Sequence, residues 1–274
     1  MQRIEQWRLS KKGASAAACL DCGLLFIDPQ PSQEALDMLY TPDEYLEWKA
    51  GRLTGDWTPQ RRESRSPRRR RTPAIFTALD RFLPVTAAAA GSRVLDFGCG
   101  PGTWLDSFQD HGWDTYGIEP CTDTAFVRPK RLVAAPSEPQ FDLVFLYHVL
   151  EHLPRPLETL REIGQALLPG GYCFVSVPRL DTLAVHCNPK YCLCPPHHIV
   201  ASTEACLRGL LARAGLEVVA AFHDHASALK KGVPTKLQLL ARKTAMPPAL
   251  QPDPAAALDP VIDAFIALKT PVKL

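Results

Sequence analysis

The 274-residue chain lacks any run of 18 apolar residues, so it carries no segment that reads as a membrane-spanning helix. Its first stretch, "MQRIEQWRLSKKGASAAACLDCG", has an alanine-rich patch but no apolar core of signal-peptide length, so secretion is not expected. The charge is nearly balanced at +2, and nothing global demands a nucleic acid or an anionic membrane as partner. The nine cysteines are an odd number. Cys99, Cys173 and Cys206 lie inside apparent strands and helices, a pattern of reduced thiols in a cytoplasmic protein rather than a disulfide framework. No internal repeat is visible.

One charge run stands out. "RRESRSPRRRR", residues 61–71, has seven arginines, one acid and no aromatic residue. It reads as a solvated basic linker; without aromatics it makes a poor stacking platform for single-stranded nucleic acid. Around it the chain divides into an N-terminal extension over 1–50, a linker over 51–73, a main domain over 74–243 and a C-terminal tail over 244–274, with a terminal helix expected at 261–269.

In the extension, an apolar strand leads to a proline-bounded turn and a helix beginning near Ser32, which supplies an N-cap. "PAIFTALDRFLP", 73–84, has helical apolar spacing. From residue 92 strands and helices alternate. Strands are expected at "RVLDFG", "WDTYGIEP", "RLVAA", "FDLVFLYHVL", "YCFVSVP", "EVVAAFHDH" and "KLQLLARK". Helices are expected at "TWLDSFQDHG", "PLETLREIGQALLPGG" and "STEACLRGLLARAGL". This predicts a doubly wound, Rossmann-like α/β fold with a mostly parallel seven-stranded sheet and a small N-terminal helical, cysteine-pair extension.

In such a sheet the first strand–helix turn is the expected ligand site. Here it is "DFGCGPG": Asp96, then Gly98, Gly100 and Gly102. A dinucleotide fingerprint needs glycine at 103, where this chain has Thr103. Glu119 follows at the end of the second strand, placed to accept two ribose hydroxyls. An unphosphorylated nucleoside fits this pattern better than a pyrophosphate.

"VLDFGCGPG", "YGIEP", "FDLVFLYHVLEHL" and "LLPGGYCFVSVP" occur in the order and spacing of class I S-adenosylmethionine-dependent methyltransferases, which the chain resembles over roughly 75–243. The extension resembles a subgroup with an N-terminal C-x-x-C-G segment. The resemblance implies S-adenosylmethionine as cofactor. It implies that Gly98, Gly100 and Gly102 admit the ligand to the backbone, that Asp96 orients the loop and the methionyl amino group, and that Glu119 holds the ribose. It places Tyr147 and His148 beside the methionyl group. The acid that often follows the third strand, near adenine, is missing from "LVAAPSEP".

An acceptor hydroxyl needs a base, and His148, His152 and His197 are the candidates. His148, Glu151 and His152 stand at i, i+3 and i+4, one face of a helical turn. With His197 they also have residue types that suit a divalent ion. They resemble the E-x-x-E-H plus distant histidine of metal-binding small-RNA 2′-O-methyltransferases, with His148 in place of the first glutamate; no metal is assigned. Cys19 and Cys22 have zinc-knuckle spacing, but no cysteine precedes them, and Cys187, Cys192 and Cys194 are far along the chain.

The function expected is methyl transfer to a small-molecule acceptor, a hydroxyl of a sugar, lipid or natural product. An RNA 2′-O-type methyltransferase, carried by the arginine run and the metal-like residue set, stands second. A non-catalytic methyltransferase-like partner subunit stands third. Oligomeric state is not legible.

Overall fold

In a computed structural model, the structure describes residues 4–8, 15–41, 74–100, 102–120, 140–181, 192–193, 195–222 and 235–245. The arginine run, the third expected strand and the terminal helix lie outside the described residues. The chain separates into two compact units, Ser32–Pro136 and Met1–Pro31 with Ser137–Leu274.

The Ser32–Pro136 unit begins at a helix cap. The Ser32 hydroxyl accepts from the Ala35 amide at 3.2 Å and starts α1 (Gln33–Leu39), as its sequence predicts. In α2 (Ala74–Leu79) the buried residues are Phe76 and Leu79, three apart on one face. Asp80 then closes the turn by accepting from the Thr86 amide and hydroxyl. Next come β4 (Arg93–Phe97), α3 (Thr103–Gln109) and β5 (Asp114–Ile118). β4 and β5 pair in parallel, with Asp96 opposite Gly117. Phe76 packs on Phe108 at 4.5 Å between ring centroids, and Phe108 meets Trp113 edge-on. The Trp113 indole donates to the Val85 carbonyl at 2.9 Å, so its one polar atom is satisfied in the core. Full burial of Phe76 and Phe108 contributes about 1.5–3 kcal/mol each.

The other unit contains two sheets. One is built from β6 (Phe141–Tyr147), β7 (Leu167–Pro178), β9 (Leu216–Phe222) and β10 (Lys236–Lys243). β6 and β7 are parallel, while β10 runs antiparallel to both β7 and β9. The near-continuous apolar runs of β6 and β7 are those of strands covered on both faces. Helices α4 (Pro156–Ala166) and α5 (Glu204–Arg213) complete the α/β, Rossmann-like pattern. α5 opens at Thr203, whose buried hydroxyl accepts from the Cys206 amide.

The second sheet is antiparallel, in the order β1 (Ile4–Arg8), β2 (Ser15–Cys19), β3 (Leu25–Asp28), β8 (Val200–Ala201). Only β3 is legible as a strand beforehand. β2 is "SAAAC", whose alanines favour helix in isolation; here Ala16, Ala17 and Ala18 are fully buried and pair with β3. Tertiary burial overrides the intrinsic preference.

Two expectations need correction. Six Rossmann-type strands are present among the described residues, two in one unit and four in the other, not seven; the expected strand "RLVAA" falls outside them. The helix expected over "PLETLREIGQALLPGG" stops at Ala166, and Leu167 already pairs with Phe141. Pro169 has no amide proton to continue a helix. Gly170 is at φ 76°, and a Cβ on Gly171 would lie 3.0 Å from the Leu168 carbonyl oxygen, so the backbone crowds at this bulge into β7.

Candidate functional site

In the Ser32–Pro136 unit, the glycine loop follows β4. Gly98, Gly100 and Gly102 have φ of 76°, 48° and 74°, values that glycine alone adopts without steric cost. The Gly98 and Cys99 amides both donate to the Ile118 carbonyl, at 2.8 and 3.0 Å, tying the loop to the end of β5. The Gly100 amide donates to Glu119 Oε2 at 2.7 Å. Glu119 is therefore held against the loop by the loop's own backbone. Gly117 permits this closeness: a Cβ there would meet Cys99 Sγ at 2.7 Å.

Asp96 is 1% exposed, and its Oδ2 has no hydrogen-bond partner. Burial, reinforced by the Glu119 charge, pushes its carboxyl up to about 8. A buried acid with an orphaned oxygen beside a second carboxylate is relieved by a cation or a hydrogen-bond donor. Cys99, next to both acids, is no nucleophile: burial and the charges of Asp96 and Glu119 raise its thiol to about 12.

In the other unit, Tyr147 ends β6, and its hydroxyl accepts from Lys236 Nζ at 2.7 Å. The same ammonium stands 5.3 Å from the Tyr147 ring centre. His148 follows at φ 57°, the single non-glycine residue of positive φ among the described residues. Strain of this kind costs about 1–3 kcal/mol and concentrates at working sites. The His148 amide donates to the Ser176 carbonyl, and its Nδ1 lies 2.9 Å from Glu151 Oε1.

Glu151 sits in the 3₁₀ turn Leu150–His152 and is 2% exposed, with Oε2 unpartnered. Burial by itself raises its carboxyl, but the His148 hydrogen bond and the neighbouring imidazoles outweigh that and hold it below the usual range. His152 Nδ1 donates to the His197 carbonyl at 3.0 Å. Desolvation lowers the His152 imidazole to about 4, so it stays neutral near pH 7.

The predicted residues thus form two sets. Asp96, Gly98, Gly100, Gly102 and Glu119 converge in one unit; Tyr147, His148 and His152 converge in the other. His197 joins the second set through its backbone carbonyl, while the ring that reaches His152, at 4.9 Å between centres, is that of His198. Of the His197–His198 doublet, which the sequence places over this end of the sheet, sequence reasoning singles out His197 rather than His198, and it misses Lys236. His198 had a signal in the doublet "HH"; Lys236, 89 residues from Tyr147, had none.

Of the cysteine pair, Cys19 ends β2 and Cys22 lies in the turn that leads to β3. The Gly23 amide donates to the Cys19 carbonyl at 2.8 Å, and the Cys19 amide to the Leu24 carbonyl at 2.9 Å. Burial raises the Cys22 thiol to about 11, and Cys206 on α5 is raised by burial and by these two thiols. Cys192 is buried; Cys187 and Cys194 lie outside the described residues. No helix among the described residues is long and apolar enough to cross a membrane.

Residues 68–221 match the profile of a methyltransferase domain. The chain is 30% identical over 119 residues to the ubiquinone biosynthesis O-methyltransferase of Psychrobacter cryohalolentis, covering 37% of this chain and 44% of that protein. It is 31% identical over 102 residues to an uncharacterized methyltransferase of Mycobacterium avium, covering 32% and 40%. The chain thus spans less than half the length of these curated relatives. In fold it is similar to the 1,6-didemethyltoxoflavin-N1-methyltransferase of Burkholderia thailandensis, solved with 1,6-didemethyltoxoflavin and S-adenosylhomocysteine. That likeness has a TM-score of 0.52 at 19% identity, over 88% of this chain and 99% of that one.

Proposed function

The chain belongs to the methyltransferase-domain family, and from that premise we propose that it transfers a methyl group from S-adenosylmethionine to a hydroxyl oxygen of a small organic molecule. One observation carries the cofactor assignment: the buried, unpartnered Oδ2 of Asp96 beside Glu119, on a loop of three left-handed glycines. These residues fit the cofactor. Asp96 offers a desolvated carboxyl for the methionyl ammonium, Glu119 a carboxylate for the ribose hydroxyls, and the glycines remove the Cβ atoms that would keep a ligand off the backbone. S-adenosylmethionine, when bound, supplies a methyl group on a sulfonium that departs as a thioether.

What remains for the protein is to orient the acceptor and take its proton. Of the three candidate histidines, His148 suits the base best. Its Nδ1 faces the Glu151 carboxylate, which fixes the tautomer and puts the lone pair on Nε2, and its side chain is 33% exposed. His152 is held neutral and braced on the His197 carbonyl, so both position the turn. A small-molecule oxygen acceptor is supported by the O-methyltransferase relatives.

Calorimetric titration with S-adenosylhomocysteine, run beside NAD, tests the reading. Micromolar binding of the first alone is expected, weakened at least tenfold by Glu119→Ala. Binding unchanged by Glu119→Ala, or binding of NAD instead, would overturn it.

A further inference from the structure

Beyond methyl transfer, we propose that Glu151, His152 and His198 form a binding site for one divalent first-row transition-metal ion. One carboxylate oxygen of Glu151 and one ring nitrogen from each histidine all lie within 4.8 Å of one another. The three come from two separate places in the chain. Glu151 and His152 share the 3₁₀ turn after β6, and His198 precedes β8. The Ile199 amide donates to the Glu151 carbonyl at 2.9 Å, a backbone bond that pins these segments together.

The surroundings have the arrangement that ligated side chains need. His152 Nδ1 faces the His197 carbonyl, which makes it the protonated nitrogen and Nε2 the one carrying a lone pair. A carbonyl behind a histidine in this way is the usual orienting contact in metal sites. Glu151 Oε1 is anchored by His148 Nδ1, while Oε2 is buried with no hydrogen-bond partner. A buried carboxylate oxygen left unpaired is costly, and a cation offsets that cost.

Two imidazoles and one carboxylate select ions such as Zn²⁺, Mn²⁺ or Fe²⁺ over Mg²⁺ and Ca²⁺, which prefer all-oxygen sites. Donors bound at about 2.0–2.2 Å lie up to about 4.4 Å apart across the ion, a span of the same order as the 4.8 Å within which these three already fall. Three protein ligands leave further positions for an exogenous oxygen. On the function proposed above, an acceptor hydroxyl bound there would lose its proton more readily. The ion site itself stands or falls without that reading, because its test contains neither cofactor nor acceptor.

The test is titration of chelator-stripped, full-length protein with Mn²⁺, followed by loss of the free-ion paramagnetic resonance signal. Co²⁺ absorption reports ligand type. One Mn²⁺ per chain is expected, with affinity falling at least tenfold in both Glu151→Gln and His198→Ala. Glu151→Gln keeps the shape and the contact with His148, so it separates a lost ligand from a lost fold. Binding should survive Cys19→Ser/Cys22→Ser, and the Co²⁺ spectrum should lack thiolate charge-transfer bands. No stoichiometric binding by the unaltered chain would overturn the proposal. So would binding that persists in Glu151→Gln and His198→Ala, or binding that is abolished with the cysteines.

Discussion

Replacing Asp96 with asparagine should make the ligand-free protein more stable at alkaline pH while damaging its ligand site. The Asp96 carboxyl is raised from 3.8 to about 8 by burial and by Glu119. Between those values the folded state holds a proton that the unfolded state has released, so stability falls as pH rises. The loss is about 1.4 kcal/mol per pH unit. Relative to a neutral side chain of the same shape, the native chain should then lose about 4 kcal/mol between pH 5 and pH 8. Relaxation around the buried group makes this an upper value. Asparagine carries no such charge and fills the same space, so Asp96→Asn should show a flatter profile. Its denaturant midpoint should be close to that of the native chain at pH 5 and clearly above it at pH 8.5. S-adenosylhomocysteine affinity should fall at least tenfold in the same protein, because the donor for which Oδ2 waits would face an amide instead of a carboxylate. Parallel pH profiles for the two proteins would refute the claim that Asp96 is held in a desolvated, charge-disfavouring position. Affinity equal to that of the native chain would refute its role in the ligand site.

Gly117→Ala should destabilise by about 1–3 kcal/mol, the usual range for overpacking, because its Cβ meets Cys99 Sγ at 2.7 Å; a thermal melt measures this, and adding Cys99→Ala should recover part of the loss. Thr203→Ala should cost about 1–2 kcal/mol, since it leaves the buried Cys206 amide at the start of α5 without its cap; urea unfolding should show a lowered midpoint, and an unchanged one would mean the cap contributes nothing.

Local features were readable from sequence because their causes are local. Ser32 caps a helix through an amide three residues on. "KLQLLARK" is a strand over its whole length, since its apolar centre has nowhere else to go. The three glycines announce a loop of positive φ whatever surrounds them, and Glu119 follows from the length of one helix and one strand. "SAAAC" misleads for the opposite reason: a short alanine run has little preference that burial against β3 cannot reverse.

What only the tertiary structure decided are the meetings between distant segments. Whether the ring of His197 or of His198 reaches His152 depends on how the chain enters β8, where one residue of register turns a side chain to the other face. Lys236 meets Tyr147 because β10 runs back antiparallel along β7, beside β6. The orphaned oxygens of Asp96 and Glu151 have no sequence signature at all. An acid looks the same in the sequence whether water or a closed core surrounds it, and that difference in solvation is what gives both groups their chemistry.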